Sequence, residues 1–578
     1  MRQLRRLLPY LQRRRRALAF GLASLLGIAV FSVASPWVLR YAIDDLTLQV
    51  TARKLYLYAA ALVAVVAVEG VFRYWTRRVL IGMSRELEYE LRNDVFRHLT
   101  RLEAAYYHRH RIGDLMSRAT NDLSAVRMVL GPGIMYTAST LATFVAAVVL
   151  MLKISPLLLG LSLLPLLLVS WIVRHFGRRI HDRSEEAQAE LANMNTVVQE
   201  SLSGIRVVRA YAQEAHEQRR FAQANDAYLA RNRSLTTLSG ALYPAIQLLM
   251  GLGAVAVLWL GGRLVVRGGI TLGEFVAFTT YLAMLHWPMI AFGWVVNMFE
   301  RGEASMGRIG EILDAPVGIR DEAPAAPGAP IRGEIEFRGL GLSYEGRSVL
   351  ADIDLRVPAG AMVAIVGPTG AGKSTLVSLL PRLVDPPPGT LFLDGRDVRT
   401  LPLDTLRGVI AFVPQEPFLF STTVRDNIAL GVAGAADEQV EAAAEVSQLA
   451  RDVRDFPHGY DTAVGERGIT LSGGQKQRTA LARAVITDPR VLVLDDAFSS
   501  VDTETEEWIL RGLRSYAAGR TTFLVSHRIS TVKDADIIVV LRDGRVAERG
   551  THDSLVAEGG FYADLHRRQL LEREVESA

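Results

Sequence analysis

GPTGAGKST, Gly367 to Thr375, follows the apolar run AMVAIV and precedes a helical pattern. Gly367, Gly370 and Gly372, with Thr369 among them, let backbone N–H groups converge on phosphate oxygens, and Lys373 adds positive charge where β- and γ-phosphates would lie. Ser374, followed by Thr375, offers a hydroxyl to Mg2+ at a helix N-terminus. The strand before and the helix after distinguish this P-loop from a chance glycine-rich turn. Downstream, RVLVLDD ends a buried strand on Asp495, whose carboxylate is placed to hold the same Mg2+. Between them, Leu471, Ser472, Gly473, Gly474 and Gln475 open the helical run TALARAVI and make a second anion-reading helix start. A chain with two such devices should bind a nucleoside triphosphate.

The elements that must position these residues occupy only the second half of the chain. With 578 residues, several domains are expected. Half the residues are hydrophobic and 22% are charged, with a mean hydropathy of +0.19, so a membrane part is expected too. The net charge of +4 calls for no acidic polymer partner, and no basic and aromatic stripe supports nucleic-acid binding. The absence of cysteine excludes disulfides, thiolate nucleophiles, zinc–thiolate sites and iron–sulfur clusters. His108 and His110 lie among arginines, the wrong neighbourhood for a divalent cation.

Five nearly charge-free runs, 17–39, 128–152, 154–173, 234–262 and 275–299, are each long enough to cross a hydrocarbon core of ~30 Å. A sixth span, 55–80, carries Glu69 and Arg73, four apart and so able to neutralise one another on one helix face. Seven arginines precede the first span and many more lie between Arg174 and Arg233, which puts both termini in the cytoplasm. The basic start, LRRLLPYLQRRRR, reads either as a helix on the lipid surface or as a topology signal alone. Long connections after spans two and four continue as cytosolic helices, with breaks expected at Gly113–Asp122 and Ser201–Tyr211. A Pro-, Gly- and Ala-rich linker at 315–333 separates this domain, 1–314, from an α/β domain at 334–578, where short β-rich runs alternate with helical stretches.

The P-loop, the LSGGQ signature and the strand-terminal Asp495, in that order after six spans, resemble a half-transporter of the ATP-binding cassette (ABC) exporter family over essentially the whole chain. The resemblance implies a six-helix α transmembrane domain with long intracellular helices, an α/β P-loop ABC nucleotide-binding domain, ATP and Mg2+ as cofactors, and an ATPase-coupled translocase. It implies two cassettes paired head to tail, each nucleotide lying between one P-loop and the other signature. It carries over Tyr344 as the ring that stacks on adenine, Gln415 as the amide near Mg2+ or water, and GERG, Gly465 to Gly468, as a segment near the intracellular helices. Asp502 is then the D-loop residue and His527 the histidine that meets the γ-phosphate. GDLMSRATND and GIRVVRAY match the coupling helices.

One position departs from the family. The residue after the strand-terminal Asp is usually Glu, which orients the attacking water; here it is Asp496, one methylene shorter. Displacement of a catalytic group by about an ångström can cost ~10²-fold in rate. Hydrolysis in the chain's own site should therefore be slow, while its intact signature could complete a competent site on another half-transporter. This combination resembles the TmrB-type subunit of heterodimeric multidrug exporters; a homodimer is the alternative. The expected function is export of amphipathic compounds from the inner (plasma) membrane. Alternatives are lipid or peptide translocation and, from another class, an ATP-gated channel or regulatory subunit that does not pump. Trp287, Trp294, Met284 and Met298 could line a soft cavity, although packing is the commoner role for such residues.

Overall fold

The computed structural model describes residues 2–321, 330–344, 346–465, 468–499 and 503–577. It divides into two compact units, Met1–His98 with Gly113–Asp314, and Leu99–Ile112 with Ala315–Ala578.

The first unit is helical. Among the described residues, Arg15–Leu48, Ala52–Leu99, Ile112–Ile154 and Glu214–Val266 are long and apolar enough to cross a membrane. The fourth expected span lies within the 48-residue helix Pro156–Ser203, and the sixth begins in the shorter apolar helix Leu272–Met284. The run at 275–299 is not one rod but two helices, Leu272–Met284 and His286–Leu313, meeting at Leu285. Pro288, just beyond, has no N–H to offer the Met284 carbonyl. Ser155 takes extended geometry between Ile134–Ile154 and Pro156–Ser203, and its hydroxyl accepts the Leu158 N–H at 3.3 Å, which caps the second helix. Glu214–Val266 has 53 residues, about 80 Å of helix at ~1.5 Å per residue, so it must run far past any bilayer.

The expected break at Gly113–Asp122 is instead helical, Ile112–Ser117 continuing through Arg118–Asp122. An Arg118–Asp114 pair at 2.8 Å, one helical turn apart, supports it, and the chain turns earlier, at Thr100–Glu103 and His110–Arg111. The other break lies at Gly204, which ends the helix Pro156–Ser203. Glu69 and Arg73 form the expected ion pair. The basic start is strapped down by acidic residues of its own unit: Arg6 donates to both oxygens of Asp314 at 2.8 and 2.6 Å, Tyr10 to Asp94 at 2.8 Å, and Arg14 to Glu90 at 3.0 Å.

The second unit carries two sheets. Strands β1 (Ile335–Tyr344), β2 (Arg347–Val357), β4 (Leu391–Leu393) and β5 (Arg396–Asp397) make an antiparallel sheet in the order β2-β1-β4-β5. The larger sheet runs β10-β9-β3-β8-β7-β6. In it β3 (Met362–Val366), β6 (Ile410–Val413), β7 (Val491–Asp495), β8 (Thr521–Val525) and β9 (Ile537–Arg542) are parallel, and β10 (Arg545–Gly550) is antiparallel at the edge. Its central strands β3, β7 and β8 are buried almost along their whole length because both faces are covered, whereas the edge strand β10 is exposed and polar. Val363, Ile365, Val491 and Val493 join Ile335 and Phe337 in one core, while Ala364, Val366, Leu492 and Leu494 join Leu481 and Ile509 in another. The start of the 315–333 stretch is anchored on this unit by the Leu403 N–H, which donates to Asp321 at 2.8 Å; residues 322–329 lie outside the described part.

Candidate functional site

In an open parallel sheet, ligands sit beyond the carboxyl ends of the strands. Four of those ends carry the chemistry anticipated from the sequence: β3 runs into the glycine loop, β6 into Gln415, β7 into Asp495 and Asp496, and β8 into His527. The loop needs its glycines. A Cβ on Gly367 would run into the Leu541 carbonyl; Gly372, at φ 95°, has Leu350 Cδ2 only 2.8 Å from where a Cβ would stand. Gly370, at φ 83°, has nothing within 4 Å of that position, so this part of the loop is open to a ligand. Thr369 lies in the loop and Thr375 in the helix Lys373–Ser378 that follows. Tyr344 ends β1, half exposed at the tip of the hairpin whose second strand supplies Val349 and Leu350 against Gly372.

Lys373 is buried, and its ammonium donates to the Gly367 and Pro368 carbonyls, both at 2.9 Å. Burial lowers its pKa, and the charges of Asp496 and Asp495 oppose that shift. The Ser374 hydroxyl donates to Asp495 Oδ1 at 3.0 Å. A hydroxyl and a carboxylate oxygen held together in this way are the hard oxygen ligands that suit Mg2+. Asp496 takes φ 47°, a left-handed conformation that Asp tolerates better than most residues, and its Oδ2 lies 3.4 Å from the Gln415 amide nitrogen. His527, exposed at the crevice mouth yet partly desolvated by the protein around its ring, has its pKa lowered by that desolvation and by Lys373, against the pull of Asp496. The imidazole, both carboxylates and the ammonium thus share one electrostatic environment.

Burial pushes the Asp495 carboxyl above the usual carboxylate range; the Ser374 bond opposes this, Asp496 adds to it and Lys373 opposes it. A carboxyl whose folded pKa is raised costs stability once ionised, and the cost sets in as pH rises above its unfolded value. Asp495→Asn should therefore stabilise the nucleotide-free protein at pH 7. Calorimetry should show a higher Tm for the cassette of Asp495→Asn than for the parent; an unchanged or lower Tm would count against it.

The signature is more tightly built than its sequence suggests. Ser472 caps the helix Gly473–Val485 in a reciprocal box: its hydroxyl accepts the Gln475 N–H at 3.2 Å, and Gln475 Oε1 accepts the Ser472 N–H at 3.0 Å. Leu471 is buried just before it, and Gly474 is buried within the first turn. Asp452, which the sequence did not single out, holds the motif from beneath: it accepts from Gln475 at 3.2 Å and from Arg478 at 2.9 and 2.7 Å. Further along the helix, Gln477 donates to Ser499 Oγ at 2.9 Å, in the turn after Asp496. The Ser-x-x-Gln spacing is the one sequence signal that announces the box; nothing in the sequence announces Asp452. Asp502, and Glu466 and Arg467 of the GERG segment, lie outside the described residues.

In the helical unit, Trp294 and Met298 line a cavity of about 280 Å3 with Ser124, Ala125, Met128 and Arg301. Met284 packs against an apolar core around Phe278 and Tyr281, the bland role weighed for it, and the side chain of Trp287 lies outside the described part. Tyr136 stands edge-on to Trp294 at 5.0 Å and lines a second cavity, of about 150 Å3, with Arg73, Thr76 and Arg77. Each is smaller than the ~300–1,000 Å3 of a drug-sized pocket.

Residues 18–289 match the family model for the ABC transporter transmembrane region, and residues 350–499 that for the ABC transporter. The chain is 36% identical to the multidrug resistance-like ATP-binding protein MdlA of Escherichia coli, over 100% of this chain and 98% of that one. It is 35% identical to an ATP-dependent lipid A-core flippase of Chromohalobacter salexigens, over 99% and 98%. A solved structure of a bacterial Atm1-family ABC exporter with ATP bound superposes with a TM-score of 0.79 at 30% identity, covering 96% of this chain and 98% of that one. A crevice built for a nucleotide at the carboxyl ends of β3, β6, β7 and β8, in one chain with apolar membrane helices and in full-length register with these relatives, makes the protein a member of the ABC exporter family, an ATPase-coupled membrane transporter.

Proposed function

We propose that the chain is one half of a dimeric exporter of amphipathic, multidrug-type substrates in the inner (plasma) membrane, with both termini cytoplasmic, and that its own ATP site is the slow one. The observation that carries this reading is Asp496, a short carboxylate in left-handed geometry, 3.4 Å from the Gln415 amide where the family has Glu. Lys373 and the loop amides bind the triphosphate, Tyr344 stacks on the adenine, and His527 meets the γ-phosphate. Ser374, Asp495 and Gln415 would hold Mg2+, which would neutralise phosphate charge. The Ser472-led helix caps the nucleotide of the partner, and the D-loop Asp502 lies across the dimer. In the favoured arrangement the partner is a second half-transporter of the kind that pairs with a TmrB-type subunit; a homodimer is the alternative. The modest size of the two cavities lined by Trp294 and Tyr136 supports a substrate site that two halves complete. Lipid translocation is the second reading, favoured by the likeness to a lipid A-core flippase.

Coexpression with a half-transporter that carries Glu after its strand-terminal Asp tests the assembly, and inverted vesicles test the transport. The two chains should copurify in equal amounts and concentrate a fluorescent amphipathic dye only with Mg2+ and ATP. ATP-dependent conductance without accumulation would mean a channel instead, and accumulation of labelled lipid in preference to dye would establish the second reading.

A further inference from the structure

The loop bearing His527 is gripped from outside the sheet by the last helix of the chain. Gln569, in the helix Phe561–Ser577, donates its amide N–H to the His527 carbonyl at 2.7 Å, and its amide oxygen accepts the Ile529 N–H at 2.8 Å. Both bonds go to backbone, one at the histidine and one two residues on. They fix the peptide planes around His527, and so the direction in which its Cβ leaves the chain, whatever rotamer the ring adopts. The far end of the same helix is itself anchored: the Tyr562 N–H donates to Glu548 at 3.1 Å, and the buried Tyr562 hydroxyl lies 2.8 Å from His552 Nδ1. On the other side of the loop, buried Glu506 accepts from the Arg528 guanidinium and the Thr531 hydroxyl. The loop is therefore clamped between two helices, and only the Gln569 clamp bonds to the histidine's own backbone.

We propose that Gln569 is a positioning residue for His527: the C-terminal helix sets where the imidazole stands over the nucleotide. This rests on the reading of His527 as the group that meets the γ-phosphate. A carboxylate at 569 can still accept the Ile529 N–H but has no proton for the His527 carbonyl and repels its oxygen, while Met keeps the length and makes neither bond.

The test is the rate at which diethyl pyrocarbonate modifies His527 in the purified full-length protein, followed by peptide mass spectrometry, with and without ATP. ATP binding is measured alongside by displacement of a fluorescent analogue. In the parent, ATP should slow the modification by about tenfold; in Gln569→Glu and Gln569→Met, ATP should bind within about twofold of the parent, yet protection should fall below about twofold, as ångström-scale misplacement would cause. Full protection in either variant overturns the proposal. So does loss of ATP binding in either, which would make Gln569 a residue of the fold and not of the loop's aim. If ATP binds the parent and leaves His527 unprotected, the underlying reading of His527 fails, a result separable from the others because it appears without any substitution.

Discussion

Lys373→Ala should weaken ATP binding by ~10²-fold or more, the 2–5 kcal/mol typical when one partner of a buried, hydrogen-bonded charge contact is truncated, and should stop ATP-driven transport. Two losses combine. On the proposed reading the phosphates lose the buried Lys373 ammonium, and the Gly367 and Pro368 carbonyls, each 2.9 Å from Nζ, lose the donor that holds the loop in shape. Lys373→Arg should rescue little, because a planar five-donor fork does not fit a buried nest that holds a compact ammonium against two converging carbonyls. Titration of the purified protein with a fluorescent nucleotide reads the effect directly. Affinity within about threefold of the parent would remove the loop from the nucleotide site, since that corresponds to less than ~1 kcal/mol.

The second large effect is expected at Asp496. Lengthening it by one methylene, Asp496→Glu, should raise ATP turnover of the isolated chain by up to ~10²-fold, the scale on which an ångström of displacement acts. The gain is offset in part by the left-handed backbone at this position, φ 47°, where Glu is less at home than Asp. In a heterodimer whose partner site carries Glu, Asp496→Asn should leave turnover within about twofold, because hydrolysis runs at the other site. A large loss with Asn would mean that the Asp already works, and the slow-site reading would fall.

The crevice was readable in the sequence because its parts sit where regular structure ends: the glycine loop after AMVAIV, Asp495 after VLVL, His527 after TTFLV. Each is a local pattern, an apolar run followed by a functional side chain. The supports were not readable, because each reaches its target across the fold. Gln569 lies 42 positions from His527 and Asp452 lies 23 positions from Gln475, and no periodicity links either pair. The helical unit shows the same division. The apolar runs gave helices, but the Gly at 113 did not break one, since Asp114 and Arg118 supply a pair across one turn while the extended residues Glu103 and His110 make the bend.

The bond from Gln477 to Ser499 joins two motifs with different clients. In a head-to-tail pair the helix that opens at Ser472 serves the neighbour's nucleotide, and the turn after Asp496 serves the chain's own. Whatever free energy passes between the two is returned in equal measure, so under the proposed pairing occupancy of either pocket would shift affinity at the other. Under that pairing, the coupling would show as a Hill coefficient for ATP that differs from one.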